Sequence, residues 1–337
     1  MIEDVSFSVP GDSGAELRVL AWRIDGGKPG PRVHLQAGVH ADEIAGMLVL
    51  HELLPRLREA AERGALNGSV TLVPQANPIG IGQFRQGRIL GRNHDATSRN
   101  FNRGFIASAA ASGTLDNLTL WQKRLAELAA PADIVLDLHT DDEALQYVYV
   151  HECFWPAAHD LAAALRAELA IIWEGDGDGA FEEVVIAPWL AKQRFDGRLV
   201  ATVELRGQGD VSDALAQQDA DGLYRFLGAR GVVDDAGPLP EWKGVATPMG
   251  FMETVFAPAA GVLVFERELG EYIEAGERFA RIIARPGDAS SEHILRAPQS
   301  GLLATRYRDR LIPQGAIAAK LTGSATSSTW SSGALDP

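Results

Sequence analysis

The sequence predicts an α/β protein in which a domain with a mixed or mostly parallel β-sheet is followed by a small all-β domain. Short apolar runs alternate with helical periodicities as far as residue 230. Beyond Gly231 no helical period persists, and short strands recur between Gly and Pro turns up to Leu321. The stretch Gly323–Pro337 is rich in Ser, Thr and Gly. We therefore expect domains at residues 1–230 and 231–322 and a disordered tail at 323–337.

The first elements follow from their hydrophobic patterns. Val5–Ile24 alternates as expected of two strands joined at the turn Pro10–Gly14. Val33–Val39 is a short apolar run typical of a strand, and Ala41–Leu57 has helical periodicity. A strand that leads directly into a helix is the usual unit of an α/β domain.

The same criteria place the later elements of this domain. Strands are predicted at Val70–Pro74, Ile134–Leu138, Tyr147–Val150 and Leu199–Leu205, and helices at Leu115–Ala130, Leu161–Leu169 and Ala214–Leu227. Residues 77–104 form a long loop rich in Gly, Arg and Asn. A loop of this length inside a compact domain is usually either functional or disordered.

The composition excludes several classes of function. The formal net charge of -14 argues against a nucleic-acid or anionic-membrane partner, because binding phosphates requires a basic surface. Cys153 is the single cysteine, so neither an intramolecular disulfide nor a thiolate zinc cluster can form. The N-terminus lacks a basic and apolar leader, and no apolar run is long enough to span a membrane. We therefore expect a cytoplasmic protein.

Three residues form a candidate zinc site. His40 and Glu43 are three residues apart at the junction of a strand and a helix, a spacing that places both side chains on one face. An imidazole and a carboxylate are two of the three protein ligands that a catalytic zinc ion needs. His139 follows the strand Ile134–Leu138, at the end of the sheet where ligands bind in open α/β folds. Each residue alone is more often structural, but their joint placement favours a metal site.

Glu204 lies in the apolar run Leu199–Leu205. A carboxylate inside a buried strand is unfavourable unless it has a partner or a chemical role. Its role could be that of general base toward a zinc-activated water. The alternative, which the spacing leaves open, is an ion pair with Arg206 or Arg198.

Arginines are concentrated in the loop that ends with Arg99–Arg103, preceded by Arg85, Arg88 and Arg92. Arginine binds carboxylates through two parallel hydrogen bonds and can polarise a carbonyl group. This pattern indicates a carboxylate-binding loop, and the alternative is a solvated basic loop.

Four motifs, in this order, resemble the succinylglutamate desuccinylase / aspartoacylase family, which belongs with the zinc carboxypeptidases in fold. They are Gly38–Glu43, Asn100–Arg103, Asp137–Thr140 and Val203–Glu204. The resemblance covers about residues 30–230, and the β-rich region that follows matches the family's C-terminal domain. A zinc carboxypeptidase-like mixed sheet followed by a small all-β domain is therefore the fold that the resemblance implies.

The resemblance also implies roles for seven residues. Zinc, one ion per chain, would be bound by His40, Glu43 and His139, with Glu204 as general base, Asn102 and Arg103 holding the substrate carboxylate, and Arg92 polarising the scissile carbonyl. The loop between Arg92 and Arg103 is longer than in mammalian aspartoacylases, so the assignment of Arg92 depends on the weakest part of the match.

Two half-repeats in the C-terminal region, Ala257–Gly261 and Ala297–Gly301, resemble a biotinyl/lipoyl-type barrel-sandwich. Carrier domains of that type bear a modifiable lysine between the halves, but Arg285–Arg296 contains none. The sequence therefore predicts a structural or oligomerising role for this domain, the latter within a homo-oligomer.

The function predicted from these features is the zinc-dependent deacylation of a small N-acyl amino acid that carries a carboxylate. The alternatives are a metallocarboxypeptidase that acts on peptides and a non-catalytic binding protein on the same scaffold. The acidic run Asp141, Asp142 and Glu143 leaves the strand end that bears His139. We expect it either to disfavour acidic substrate side chains or to form a solvated loop.

Overall fold

The structure is a computed structural model that describes residues 1–175, 177, 179–328 and 330. Its strands are β1 Ile2–Asp4, β2 Phe7–Pro10, β3 Glu16–Asp25, β4 Arg32–Ala37, β5 Ser69–Gln75, β6 Phe84–Arg85, β7 Arg88–Ile89, β8 Ile134–Asp141, β9 Glu143–Ala144, β10 Gln146–His151, β11 Leu169–Trp173, β12 Leu199–Gly207, β13 Val245–Pro248, β14 Glu253–Phe256, β15 Gly261–Phe265, β16 Tyr272–Ile273, β17 Arg278–Ile283, β18 Glu292–Arg296, β19 Gly301–Arg306, β20 Leu311–Ile312 and β21 Ile317–Leu321. Its α-helices are α1 Ala45–Glu62, α2 Pro78–Ile81, α3 Phe105–Ala110, α4 Asn117–Ala129, α5 His159–Leu165, α6 Phe181–Lys192 and α7 Asp213–Ala229.

Within the described residues, a sheet of ten strands organises the N-terminal part of the chain, in the order β1-β3-β5-β4-β8-β12-β10-β11-β13 with β2 paired to β3. The central strands β5, β4, β8 and β12 run parallel, whereas β10 is antiparallel to β12. The sheet is therefore mixed, as the sequence predicts. Parallel neighbours end at the same edge, so the residues that follow β4 and β8 and those at the end of β12 come close together.

Helices cover both faces of this sheet. Gly46 of α1 lies against Ala37 and Leu138, whereas the ring of Phe181 in α6 packs near His34, which points the opposite way on β4. Helices α5 and α7 join the group of α1, and α3 and α4 join that of α6. Because helices cover both faces of the sheet, nearly all residues of β4, β8 and β12 are buried, their polar residues included.

The C-terminal region forms two small sheets that share a hydrophobic core. One has the order β14-β21-β19-β16 and the other β18-β17-β15-β20. Their core includes Leu263 and Phe279 from one sheet and Leu303 and Leu321 from the other. The short strand β9, which lies between β8 and β10 in the chain, pairs with β19, and β13 pairs with β11 in the large sheet.

Several elements differ from the sequence predictions. The predicted helix Leu161–Leu169 ends at Leu165, and Leu169 instead begins β11. Helix α6 was not predicted, because it is apolar around its circumference and contains Pro188. The N-terminal region has three strands rather than two, and the predicted loop at residues 77–104 contains α2, β6 and β7.

Part of the predicted tail is held against the C-terminal sheets. Gln299 binds the backbone of Ser324 and Ala325, and Ser327 Oγ donates to Glu253 Oε2 at 2.6 Å. Residues 331–337 lie outside the described part of the chain, so the prediction of disorder cannot be followed there. In the described residues, no helix is both long and apolar enough to cross a membrane.

Candidate active site

His40, Glu43 and His139 meet at the edge of the large sheet where β4 and β8 end. The predicted helix start at Ala41 is wrong: α1 begins at Ala45, and His40 and Glu43 lie in the turn before it. Gly38, with φ of +74°, allows the chain to leave β4 in a left-handed conformation. The turn is closed by Glu43 N donating to His40 O at 3.2 Å. A turn rather than a helix face therefore presents both side chains together.

The three side chains are buried and in mutual contact. Glu43 Oε1 lies 2.8 Å from His40 Nδ1, and Glu43 Oε2 lies 2.8 Å from His139 Nδ1. The candidate ligand atoms of the three residues all lie within 4.8 Å of one another. Glu43 Oε2 also accepts a hydrogen bond from Thr140 N at 3.0 Å, which fixes the carboxylate.

The outward nitrogens of both histidines face side-chain oxygens. His40 Nε2 lies 2.9 Å from Asn100 Oδ1. His139 Nε2 lies 3.0 Å from Asp137 Oδ2, an ion contact without the geometry of a hydrogen bond. With a metal ion bound, oxygens at these positions would hold the ring proton on Nε2 and leave Nδ1 free as the electron-pair donor. Two imidazole nitrogens and one carboxylate form a donor set that fits a catalytic zinc ion.

The charges within the cluster favour a cation at its centre. Burial acts to raise the pKa of Glu43, but His40 and His139 outweigh it, and the pKa lies well below its usual value. Burial likewise acts to lower the pKa of His139, but Asp137 and Glu43 raise it well above its usual value. The buried carboxylates thus draw positive charge to the point where the three ligand atoms meet.

Glu204 stands beside this cluster. Strand β12 runs parallel to β8 with Glu204 in register with His139, and a β-bulge follows immediately. Glu204 Oε2 is buried and has no hydrogen-bond partner among the described residues. Burial raises the pKa of Glu204 well above its usual value, against the opposing effect of His139.

Arg206 and Arg198, the two possible ion-pair partners of Glu204, are instead paired with other carboxylates. Arg206 binds Asp219 and donates to Gln146 Oε1 at 2.7 Å, and Arg198 lies 3.6 Å from Asp133. The contacts of these two arginines therefore give no support to an ion pair with Glu204.

The predicted arginine and asparagine residues line the same cavity as the cluster. Arg92 Nη1 lies 3.6 Å from Glu43 Oε1, so its guanidinium reaches the metal ligands despite the longer loop. Asn102 Oδ1 accepts from Phe181 N at 2.9 Å, which directs the side chain toward the start of α6. Arg103 Nη1 donates to Asn102 O at 2.8 Å.

The other arginines of the loop lie away from the site. Arg99 pairs with Asp116, Arg85 pairs with Asp95, and Arg88 is exposed on β7.

The cavity around these residues has a volume of about 1190 Å³ and is also lined by the C-terminal region, through residues that include Phe251, Tyr307 and Lys320. The C-terminal domain thus forms a wall of the candidate active site, a role beyond the structural or oligomerising one that the sequence predicts. Sequence reasoning gave no role to Asp137 or Lys320, although a charged residue inside an apolar strand was a usable signal for both.

The acidic run is neither a solvated loop nor a free charged wall. Asp141 Oδ2 lies 3.1 Å from Lys320 Nζ and accepts from Tyr147 Oη at 2.8 Å. Glu143 pairs with two arginines of the C-terminal region, Arg306 at 3.0 Å and Arg310 at 2.7 Å. Asp142 lines the cavity, and Arg308 N donates to its carboxylate at 3.4 Å.

Comparisons with known proteins agree with this fold. Over 287 residues, the chain is 28% identical to N-alpha-acetyl-L-2,4-diaminobutyric acid deacetylase of Halomonas elongata, covering 82% of this chain and 78% of that protein. A succinylglutamate desuccinylase / aspartoacylase family protein of Shewanella amazonensis superimposes with a TM-score of 0.84 at 24% identity, covering 95% of this chain and 98% of its own. The product-bound ectoine utilization protein EutE (DoeB) of Ruegeria pomeroyi superimposes with a TM-score of 0.75 at 21% identity, covering 96% of this chain and 95% of its own.

The family model for the succinylglutamate desuccinylase/aspartoacylase catalytic domain matches residues 29–230, more than half of the chain. The resemblance stated from four motifs is thereby confirmed. The family and the Halomonas relative are deacylases, which confirms the predicted amide-cleaving hydrolase. The chain belongs to the succinylglutamate desuccinylase / aspartoacylase family.

Proposed function

We propose that the protein is a zinc-dependent deacylase that hydrolyses the amide bond of a small N-acyl amino acid. The observation that carries the proposal is the meeting of His40, Glu43 and His139 at one point beside Glu204, whose Oε2 has no hydrogen-bond partner among the described residues. A metal-ligand set next to a buried base is the arrangement that hydrolysis by activated water requires. The Halomonas relative is by name a deacetylase of an N-acetyl amino acid, which supports this substrate class.

The substrate would be oriented through its carboxylate. Arg103 offers a bidentate guanidinium, and Asn102, whose Oδ1 is occupied by Phe181 N, retains its amide N–H groups for the same carboxylate. Binding at this point presents the amide carbonyl to the ligand cluster and to Arg92. Fixing the geometry of attack in this way removes much of the entropic cost of the reaction.

Glu204 would carry out the proton transfers. When bound, zinc would lower the pKa of water and polarise the carbonyl. Glu204 accepts the proton of the attacking water and delivers it to the nitrogen of the leaving amine. Arg92 stabilises the negative charge that develops on the carbonyl oxygen. Burial raises the pKa of Glu204, and a carboxylate with a raised pKa is a stronger base toward the proton of the attacking water.

We further propose that the C-terminal sheets form a barrel-sandwich domain that closes the cavity. A closed site keeps bulk water from the polarised carbonyl. This role accounts for the contribution of Phe251, Tyr307 and Lys320 to the lining.

Metal analysis and a substrate panel test the proposal. We expect one zinc ion per chain, loss of turnover on chelation, and recovery when zinc is returned. The panel should contain N-acetyl and N-succinyl amino acids together with peptides that have a free C-terminus. Preferential cleavage of the peptides would establish the carboxypeptidase alternative. A protein that binds no metal and hydrolyses nothing in the panel would point to a binding function.

A further inference from the structure

Glu182 is one of several carboxylates in the cavity that take no part in the mechanism above. Glu182 lies in the first turn of α6, lines the cavity, and has a buried Oε2 without a hydrogen-bond partner among the described residues. Two other carboxylates of the cavity have partners: Glu183 Oε2 accepts from Gly179 N at 2.8 Å, and Asp141 pairs with Lys320. An unpartnered buried carboxylate is unfavourable unless a ligand supplies the missing group.

The position of Glu182 relates it to the substrate. It directly follows Phe181, whose N–H binds Asn102, so it stands next to the proposed carboxylate site. Helix α6 packs on β8 and β12. Thr202 on β12, two residues before Glu204 and on the same face of the strand, also lines the cavity and has a buried hydroxyl oxygen without a partner.

Together these two oxygens accept hydrogen bonds but face no donor in the described part of the chain. Arg103 takes a substrate carboxylate and Glu204 serves the scissile amide, so the remaining substituent of the amino acid is its side chain. The Glu182 carboxylate would repel an acidic side chain at this position. An apolar side chain would leave Glu182 Oε2 without a hydrogen-bond donor. An ammonium group both neutralises the charge and supplies donors.

We propose that Glu182, with Thr202, binds an ammonium group on the substrate side chain and so selects N-acyl derivatives of diamino acids. The inference rests on the proposed function, because it assumes that the cavity binds an amino-acid derivative. The sequence alone associated selection against acidic substrate side chains with Asp141–Glu143, and the proposal assigns this selection to Glu182 and Thr202.

Kinetics with the zinc-loaded full-length protein tests the proposal. Nα-acetyl-2,4-diaminobutyrate and N-acetylnorvaline have side chains of the same length and differ in the terminal ammonium and methyl groups. We expect kcat/KM to favour the diaminobutyrate derivative at least about tenfold, and Glu182→Gln to bring this ratio close to one. Glu182→Asp, which keeps the charge, should retain a preference. Glu152→Gln, at an exposed carboxylate of the same cavity, is the matched control and should leave the ratio unchanged.

Calorimetric binding of the free amino acids separates this inference from the proposed function. Both 2,4-diaminobutyrate and norvaline carry the α-amino and α-carboxylate groups, so a difference between them reports only the side chain. We expect 2,4-diaminobutyrate to bind at least about tenfold more tightly to the wild type but not to Glu182→Gln. A wild type without deacylase activity would overturn the proposed function, whereas this difference in binding would still support the role of Glu182. Equal binding of the two amino acids, absence of binding, or a preference that survives Glu182→Gln would overturn the inference.

Discussion

Glu43 and Glu204 are buried carboxylates of one site whose pKa values are shifted in opposite directions. Burial acts to raise both, but Glu43 touches two imidazole rings and is held ionised, whereas Glu204 has an oxygen without any partner in the described residues. Such a divergence is what the proposed roles require, with Glu43 as a ligand that stays charged and Glu204 as a base that exchanges a proton. The environment of each residue, rather than its type, thus sets its role.

Replacing Glu204 by Gln should leave the zinc content unchanged and remove most of the turnover. The amide keeps the shape of the side chain but cannot accept the proton, and general-base catalysis contributes roughly 10²–10⁴-fold. Metal analysis and kcat on the same preparation check this result. Near-normal turnover in a zinc-loaded variant would mean that Glu204 is structural.

Replacing Arg103 by Ala should weaken substrates with a free α-carboxylate much more than the corresponding amides or esters. The guanidinium forms two hydrogen bonds that only a carboxylate can complete, and a charged hydrogen bond contributes roughly 1.5–3 kcal/mol. The ratio of kcat/KM values for acid and amide measures the effect. Arg99→Ala is the control, because Arg99 pairs with Asp116 outside the cavity. Equal losses on both substrate types would assign Arg103 to folding instead of recognition.

Strand β4 contains a histidine whose burial makes the fold sensitive to acid. His34 faces α6, with Nε2 2.9 Å from Gln36 Oε1, and burial lowers its pKa to about 4. In the unfolded chain a histidine has a pKa of about 6.5. Between these two values the unfolded chain binds a proton that the folded chain does not, so stability falls as the pH falls from about 6.5 to about 4.

His34→Gln should therefore remove part of the loss of stability between about pH 6.5 and pH 4, on the order of 2 kcal/mol. Urea unfolding of the chelated protein across this range measures the free energy of unfolding without a contribution from metal release. The control is His51→Gln, at an exposed position of α1, which should follow the wild type. A variant as acid-sensitive as the wild type would exclude His34 as the cause.

Hydrophobic periodicity predicted the strands that are buried on both faces and the helices that bury a single stripe. Strands β4, β8 and β12 are buried on both faces and contain short apolar runs, and α4 and α7 each bury one stripe. Helix α6 is apolar without a stripe, so its sequence lacks the signal of a surface helix. The candidate metal ligands were predictable because they lie at or just after the ends of strands, whereas Glu182 depends on a helix that the pattern did not reveal.

At the scale of the whole molecule, ion pairs join the C-terminal sheets to the strand end that bears His139. Lys320 of β21 has a side chain that is 3% exposed, and its Nζ lies 3.1 Å from Asp141 Oδ2 at the end of β8. Arg306 and Arg310 reach Glu143 in the same way. These contacts could not be predicted from the sequence, because the partners are more than 150 residues apart.

Lys320→Met should destabilise the protein by roughly 3–5 kcal/mol, because it leaves Asp141 without its cation. The double variant Asp141→Asn, Lys320→Met should recover much of this loss, since no uncompensated charge remains. Chemical denaturation of the two variants and of Asp141→Asn gives the coupling energy. The exposed pair of Arg278 and Glu266 serves as control, and Arg278→Met should cost less than about 1 kcal/mol. Equal stability of Lys320→Met and the wild type would contradict this role.

The reciprocal strand pairing has a consequence for how the protein can be divided or recombined. Strand β13 completes the large sheet beside β11, although it lies beyond residue 230, and β9 extends the sheet of β19 although it comes from the N-terminal half. A gene fragment that ends where the family match ends would leave β11 as a bare edge, which invites association with other chains. Chimeras with relatives should therefore place their crossover after Pro248. Residues Glu143–Ala144 of β9 should in addition come from the same parent as the C-terminal sheets. The segment that matches the family model, residues 29–230, is thus shorter than the segment needed to complete the large sheet, which extends to Pro248.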